Sequence, residues 1–100
     1  MLKKYNSFYD WLKTKVEYTG NYNDYTRIGT YNSLPDTLYG NYHQYCNNNN
    51  LPKIGLKNFG SSIQEFFKLN DKPTEFFIYN NRKCIRYLIL KLDSSNTKNV

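Results

Sequence analysis

The chain reads as an α+β domain: three helices with a small antiparallel sheet whose hairpin lies towards the C-terminal end. Three observations predict this. Residues 7–17 carry one apolar helical face. Residues 38–67 carry two more, separated by a polar turn. From Glu75 onward the apolar period changes from helical to two. One hundred residues allow one domain, with a core just large enough to fold unaided. Residues 1–92 are expected to form it, with 18–33 an extended connection and 93–100 (DSSNTKNV) a disordered polar tail.

The first helix is predicted over 7–17. Ser7 serves as N-cap and Asp10 answers it as a weak capping box, while Phe8, Trp11, Leu12 and Val16 share one face. Trp11 is the expected core anchor. Residues 18–35 lack helical periodicity and are rich in Gly, Asn, Asp and Thr. A connection this long is uncommon unless it pairs with something or has a role, so 27–31 (RIGTY) is expected to be a short strand pairing with the C-terminal hairpin. Leu34, Pro35 and Asp36 open the second helix, with Asp36 capping it or complementing its dipole and Pro35 in the first turn. Leu38, Tyr42, Tyr45 and Cys46 recur along it at helical spacing, and the Asn run at 47–50 stops it, since Asn competes with the helical backbone for hydrogen bonds. Pro52 forces Leu51 into extended backbone before a third helix begins near Gly55. Its inward face is Leu56, Phe59, Ile63, Phe66 and Phe67. Then Phe76 and Ile78 alternate with Phe77 and Tyr79, Asn80 and Asn81 make a tight turn, and 84–92 (CIRYLILKL) reads as one longer central strand. Leu88, Leu90 and Leu92 share one of its faces; Ile85, Tyr87 and Ile89 share the other.

Composition narrows the function. Eleven Tyr and six Phe make the core aromatic, and a Tyr-heavy core predicts rings at its edge with wet hydroxyls. No run of eighteen apolar residues occurs, and no apolar stretch follows Lys3 and Lys4, so neither a membrane span nor a signal peptide is expected. The expectation is a chain that is not secreted and has no membrane partner, working in the nucleus, the cytoplasm or a viral replication site. Cys46, Cys84 and the single His43 are too few for a tetrahedral metal site or a disulfide scaffold, and the thiols are expected to be reduced and buried. The acids are scattered, His43 has no nucleophile or carboxylate at a useful spacing, and no Gly-rich phosphate loop occurs. No enzymatic activity, cofactor, metal or small-molecule substrate is expected.

Binding is better supplied. The net charge is +6, and most of it falls within residues 53–91, on the third helix and the hairpin; part of the Lys excess reflects the Asn-, Lys-, Tyr- and Ile-rich composition of an AT-rich genome. Two short helices in a basic domain, followed by a hairpin, are the parts of a winged helix-turn-helix, an architecture that most often binds double-stranded DNA. If the third helix turns its apolar face inward, Lys57, Asn58, Ser61, Gln64 and Lys68 face solvent, Lys53 precedes its N-terminus and Lys72 follows its end. Ser, Asn and Gln can read base edges or bond phosphates, and Lys neutralises phosphates. Asn81, Arg82, Lys83 and Arg86 form the candidate wing. Roughly five to seven phosphate contacts would make affinity fall steeply with salt. The alternatives for these residues are a solvated helix face and charges that guard a hairpin edge, Arg86 in particular. A second class of function is protein docking through Tyr18, Tyr22, Tyr25 and Tyr31; a third is a sequence-specific transcription regulator.

Trp11 with Leu12, Leu34 with Pro35, Leu38 with Tyr39, Tyr42, Cys46, Phe59 with Gly60, Ile63 and Phe67 resemble the RFX-type winged-helix DNA-binding domain and its relative at the C-terminus of poxvirus-type viral primase-helicases. The matching core spans 34–67, roughly a third of the chain. The resemblance implies a DNA-binding domain, with the wing making much of the sequence-reading contact. Ser61 and Gln64 stand where the RFX recognition helix carries Lys and Arg, and the turn lacks the Arg- and Gly-rich RFX wing, which points away from RFX-type X-box recognition. The viral relative tolerates such variation. It implies a C-terminal module of a viral or mobile-element replication protein, with a helicase or primase domain of the same polypeptide as partner, and the polar tail suits the end of a longer protein.

Overall fold

The computed structural model describes residues 2–30 and 32–91. The elements run α1 (Leu2–Lys15), β1 (Val16–Tyr18), β2 (Tyr25–Arg27), α2 (Leu38–Asn48), α3 (Leu56–Leu69), β3 (Glu75–Tyr79), β4 (Arg82–Arg86) and β5 (Leu88–Leu90). The class is α+β, with three helices and two antiparallel sheets among the described residues, one sheet ordered β2-β4-β3 and the other β1-β5.

Helix α1 starts earlier than the apolar pattern suggested, so Ser7 is not its cap. Ser7 lies inside the helix, buried, with its hydroxyl donating to the Pro52 carbonyl at 3.0 Å. The helix stops at Lys15 rather than Glu17 because Val16, Glu17 and Tyr18 pair with Leu90, Ile89 and Leu88. The short strand expected at 27–31 lies earlier, at Tyr25–Arg27, as Gly29 turns the chain with φ 85°; Tyr31 lies outside the described residues. The helix α2 cap is Thr37, not Asp36. Its hydroxyl accepts from the Gly40 amide at 3.1 Å and donates to the Leu34 carbonyl at 2.9 Å, which leaves Pro35 outside the helix.

Helices α2 and α3 end alike. Asn50 and Asp71 adopt left-handed backbone, at φ 57° and 61°. Beyond them, the Leu51 amide reaches back to the Cys46 carbonyl at 2.9 Å and the Lys72 amide to that of Phe67 at 2.8 Å. Each is a Schellman closure, with Asn or Asp in the place glycine usually takes. Asn80 and Asn81, at φ 53° and 62°, supply the left-handed pair that a two-residue hairpin turn requires. Arg82 accordingly faces Tyr79 directly across the ladder.

The long strand predicted over 84–92 is broken. Tyr87 has φ 81°, its amide donates to the Asp24 carbonyl at 2.7 Å, and its carbonyl accepts from the Thr19 amide at 2.8 Å. The chain thus leaves the β2-β4-β3 ladder and joins β1. The expected alternation of faces is lost at that point, and Leu92 lies outside the described residues, as does the 93–100 tail. Strand β4 is nonetheless the central strand of its sheet. The Thr26 hydroxyl, donating to the Leu88 carbonyl at 2.8 Å, ties the two sheets together.

The core is aromatic at its centre. The Phe59 ring lies 4.7 Å from Tyr39, 5.2 Å from Tyr42, 5.5 Å from Trp11 and 5.9 Å from Phe8. Trp11 donates its indole N–H to Asn41 Oδ1 at 2.8 Å. Tyr39 and Tyr42 are exceptions to the expectation of many rings at the core edge with wet hydroxyls. Both are fully buried, with their oxygens bonded to the backbone of Ile54. Leu56 and Phe66, expected on the inner face of α3, are only half-buried at its margin. Among the described residues no helix is long and apolar enough to cross a membrane.

Candidate nucleic-acid interface

The first turn of α3 and the β3–β4 hairpin face each other across a cleft of about 420 Å³. The second wall is the chain leaving β2. Ile28 continues the β2–β4 pairing by donating its amide to the Lys83 carbonyl at 3.0 Å, and its own carbonyl accepts from the Tyr39 amide at 2.7 Å. Those bonds place Arg27, Gly29 and Thr30 opposite Lys57 and Ser61 of α3, with Asn81, Arg82 and Lys83 closing the mouth. The Phe76 ring makes part of the wall, and Lys83 lies over it at 4.5 Å from the ring centroid.

Four cationic residues, Arg27, Lys57, Arg82 and Lys83, therefore contribute to its lining. Among the described residues no carboxylate lines the cleft, and none pairs with any of the four. Gly55, the N-cap of α3, supplies no side-chain acceptor, so the positive end of the helix dipole adds to the same field. The arrangement suits a polyanion that can reach both the helix and the hairpin.

Of the sequence-predicted residues, Lys57, Ser61, Asn81, Arg82 and Lys83 are brought together here. Asn58 is exposed on the first turn of α3, outside the cleft, and its carbonyl accepts from Ser61 Oγ at 3.3 Å. The others go elsewhere. Lys53 donates to Asn47 Oδ1 at 2.7 Å, bracing the segment before α3. Gln64 Nε2 reaches the Thr74 carbonyl at 3.4 Å and ties α3 to the approach of β3. Lys68 and Lys72 are exposed at the far end of α3, Lys68 being about 16 Å along the axis from Lys57.

Arg86 is held within the outer face of the sheet. Its guanidinium carbon lies 4.0 Å from the Tyr22 ring centroid and 4.1 Å from that of Phe77, and Nη1 donates to the Tyr22 carbonyl at 3.0 Å. The Glu75 carboxylate lies 3.2 Å from Nε but out of line for a hydrogen bond, so Nε is buried without such a partner among the described residues. Arg27 is the cleft residue that sequence reasoning missed. The signal was present, since a strand there that pairs with the hairpin sets an arginine beside Cys84.

Of the four tyrosines weighed as a docking patch, Tyr18 and Tyr22 both meet the Tyr87 ring, at 6.2 and 6.5 Å. Tyr18 donates its hydroxyl to the Pro73 carbonyl at 2.8 Å and packs its ring 5.6 Å from Phe67, whereas Tyr22 and Tyr25 are exposed and Tyr31 is not described. Burial pushes the Cys84 thiol pKa up, against the opposing pull of Arg27, and it likewise raises that of Cys46, so neither is a poised nucleophile. His43 is half-buried, with Nδ1 3.4 Å from the Asn47 amide nitrogen and its ring 5.9 Å from Tyr39. Among the described residues no group of three His, Cys, Asp or Glu could hold a metal.

No family model, curated protein or solved structure matches this chain.

Proposed function

We propose that this domain is a winged helix-turn-helix module that binds double-stranded DNA, with α3 as recognition helix and the β3–β4 hairpin as wing. One observation carries the reading: Arg27, Lys57, Arg82 and Lys83, from three separate elements, line one cleft to which no described residue adds a carboxylate. Like charges repel, so an anion that offsets these four binds favourably at this place. The phosphate backbone supplies such anions at regular spacing. Ser61 and Asn81, at the same place, can donate to phosphate or base edges, which gives a modest sequence preference.

On the resemblance of residues 34–67, the module would serve a viral or mobile-element replication protein, bringing its helicase or primase domain to DNA. Anisotropy with a fluorescent random-sequence duplex tests the binding claim: Lys57→Glu with Arg82→Glu is expected to weaken binding more than tenfold at low salt. No binding by the unsubstituted chain at low salt would end this reading.

A further inference from the structure

The outer face of the β2-β4-β3 sheet is built differently from the cleft. Thr26, Phe76 and Ile85 turn towards the core, so the alternate residues Tyr25, Phe77 and Tyr79 turn outward around Cys84. Tyr25 crosses over β4 to meet Phe77 edge-on at 5.2 Å and Tyr79 at 5.7 Å. This contact leaves Cys84 only 2% exposed, although it lies on the outward side. Tyr22 is fixed by the Arg86 guanidinium stacked beneath it. The rings are held in place and remain open: Tyr22 is 61%, Tyr25 41% and Tyr79 52% exposed.

A fixed patch of exposed rings marks an interaction surface. The charge around it selects the partner. The one acid in its register, Glu75, is neutralised by Arg86, while Arg27 and Arg82 sit in register on the same face and also line the cleft. The fitting ligand presents flat faces on an anionic backbone. Paired bases cannot offer those faces to the rings, but unpaired ones can.

We propose that this sheet face stacks unpaired nucleotides of a strand continuing from duplex held in the cleft, so that the domain prefers tailed or forked DNA to blunt duplex. The preference rests on the duplex reading; single-strand stacking on the face does not. Anisotropy would compare a blunt duplex, the same duplex with a thymidine tail, and a thymidine homopolymer. The tailed duplex is expected to bind at least about fivefold more tightly than the blunt one. Tyr25→Ala with Tyr79→Ala should abolish that gain and leave blunt-duplex affinity within about twofold, whereas Tyr25→Phe with Tyr79→Phe should keep it.

A bromodeoxyuridine-substituted tail, photocrosslinked to the unsubstituted chain, gives a readout that no folding defect can mimic; crosslinks are expected on Tyr22, Tyr25 or Tyr79. Blunt and tailed duplexes of equal affinity, or crosslinks that avoid this face, overturn the inference and leave the duplex reading standing. Homopolymer bound and crosslinked here without any blunt-duplex binding upholds the stacking face and removes the duplex reading.

Discussion

The Tyr42 hydroxyl accepts a hydrogen bond from the Ile54 amide at 2.8 Å, while the Tyr39 hydroxyl donates to the Ile54 carbonyl at 3.1 Å. Two tyrosines of α2 thus satisfy both backbone groups of the buried residue that precedes α3, and fix where that helix begins. The position of Lys57 at the cleft follows from this clamp. Tyr42→Phe leaves a buried N–H unpaired and is expected to destabilise the fold by about 1–3 kcal/mol. Thermal unfolding should show a Tm lower by several degrees, roughly 4–8 °C per kcal/mol for a domain of this size.

Alkaline pH acts on the same region. Burial holds the Tyr42 phenol well above its ordinary value of 10.0 and the Cys46 and Cys84 thiols above 9.0. Above those ordinary values the unfolded chain gives up protons that the folded chain retains, so stability is full below about pH 8.5 and falls as pH rises. Urea titrations at increasing pH should show the midpoint declining from about pH 9 upward. A midpoint unchanged to about pH 11 would contradict the burial of these groups.

Two glycines make opposite predictions. A Cβ on Gly40 would run into the Leu34 carbonyl oxygen and lie 2.7 Å from that of Ser33, and backbone cannot give way cheaply. Gly40→Ala should destabilise by about 1–3 kcal/mol or more. A Cβ on Gly60 would meet the Phe76 ring at an ordinary 3.5 Å, so Gly60→Ala in mid-helix should be neutral or stabilising by up to about 1 kcal/mol. Paired denaturation curves decide both.

Arg86 separates structural charge from binding charge. Stacked between Tyr22 and Phe77 and bonded to the Tyr22 carbonyl, it should lower stability by about 1–2 kcal/mol when replaced by Ala. The salt dependence of blunt-duplex binding should not change, because Arg86 neutralises no phosphate there. A shallower salt slope for Arg86→Ala would return it to the DNA contacts.

What could be read from the sequence was local. Asn80 and Asn81 declare a hairpin because their side chains tolerate left-handed backbone, and the apolar spacing from Leu56 to Phe67 declares α3. The β1-β5 sheet was not legible, since three residues just after α1 pair with three near the other end of the described chain, and nothing in either triplet names its partner. The break at Tyr87 was hidden for a similar reason: its left-handed backbone is held by Asp24 and Thr19, not by its own chemistry. The same divide runs through the site. Lys57, Ser61, Asn81, Arg82 and Lys83 reach the cleft on elements whose faces the sequence shows. Lys53, Gln64 and Arg86 are diverted by Asn47, Thr74 and Tyr22, partners that only the fold supplies.

The most direct test is binding of a random-sequence blunt duplex across a salt series, for the unsubstituted chain and for Arg82→Ala with Lys83→Ala. The account predicts a steep fall of affinity with salt, made shallower by about two units of log–log slope when the two wing cations are removed. Equal slopes for the two proteins, or no duplex binding at any salt, would contradict DNA recognition through this cleft.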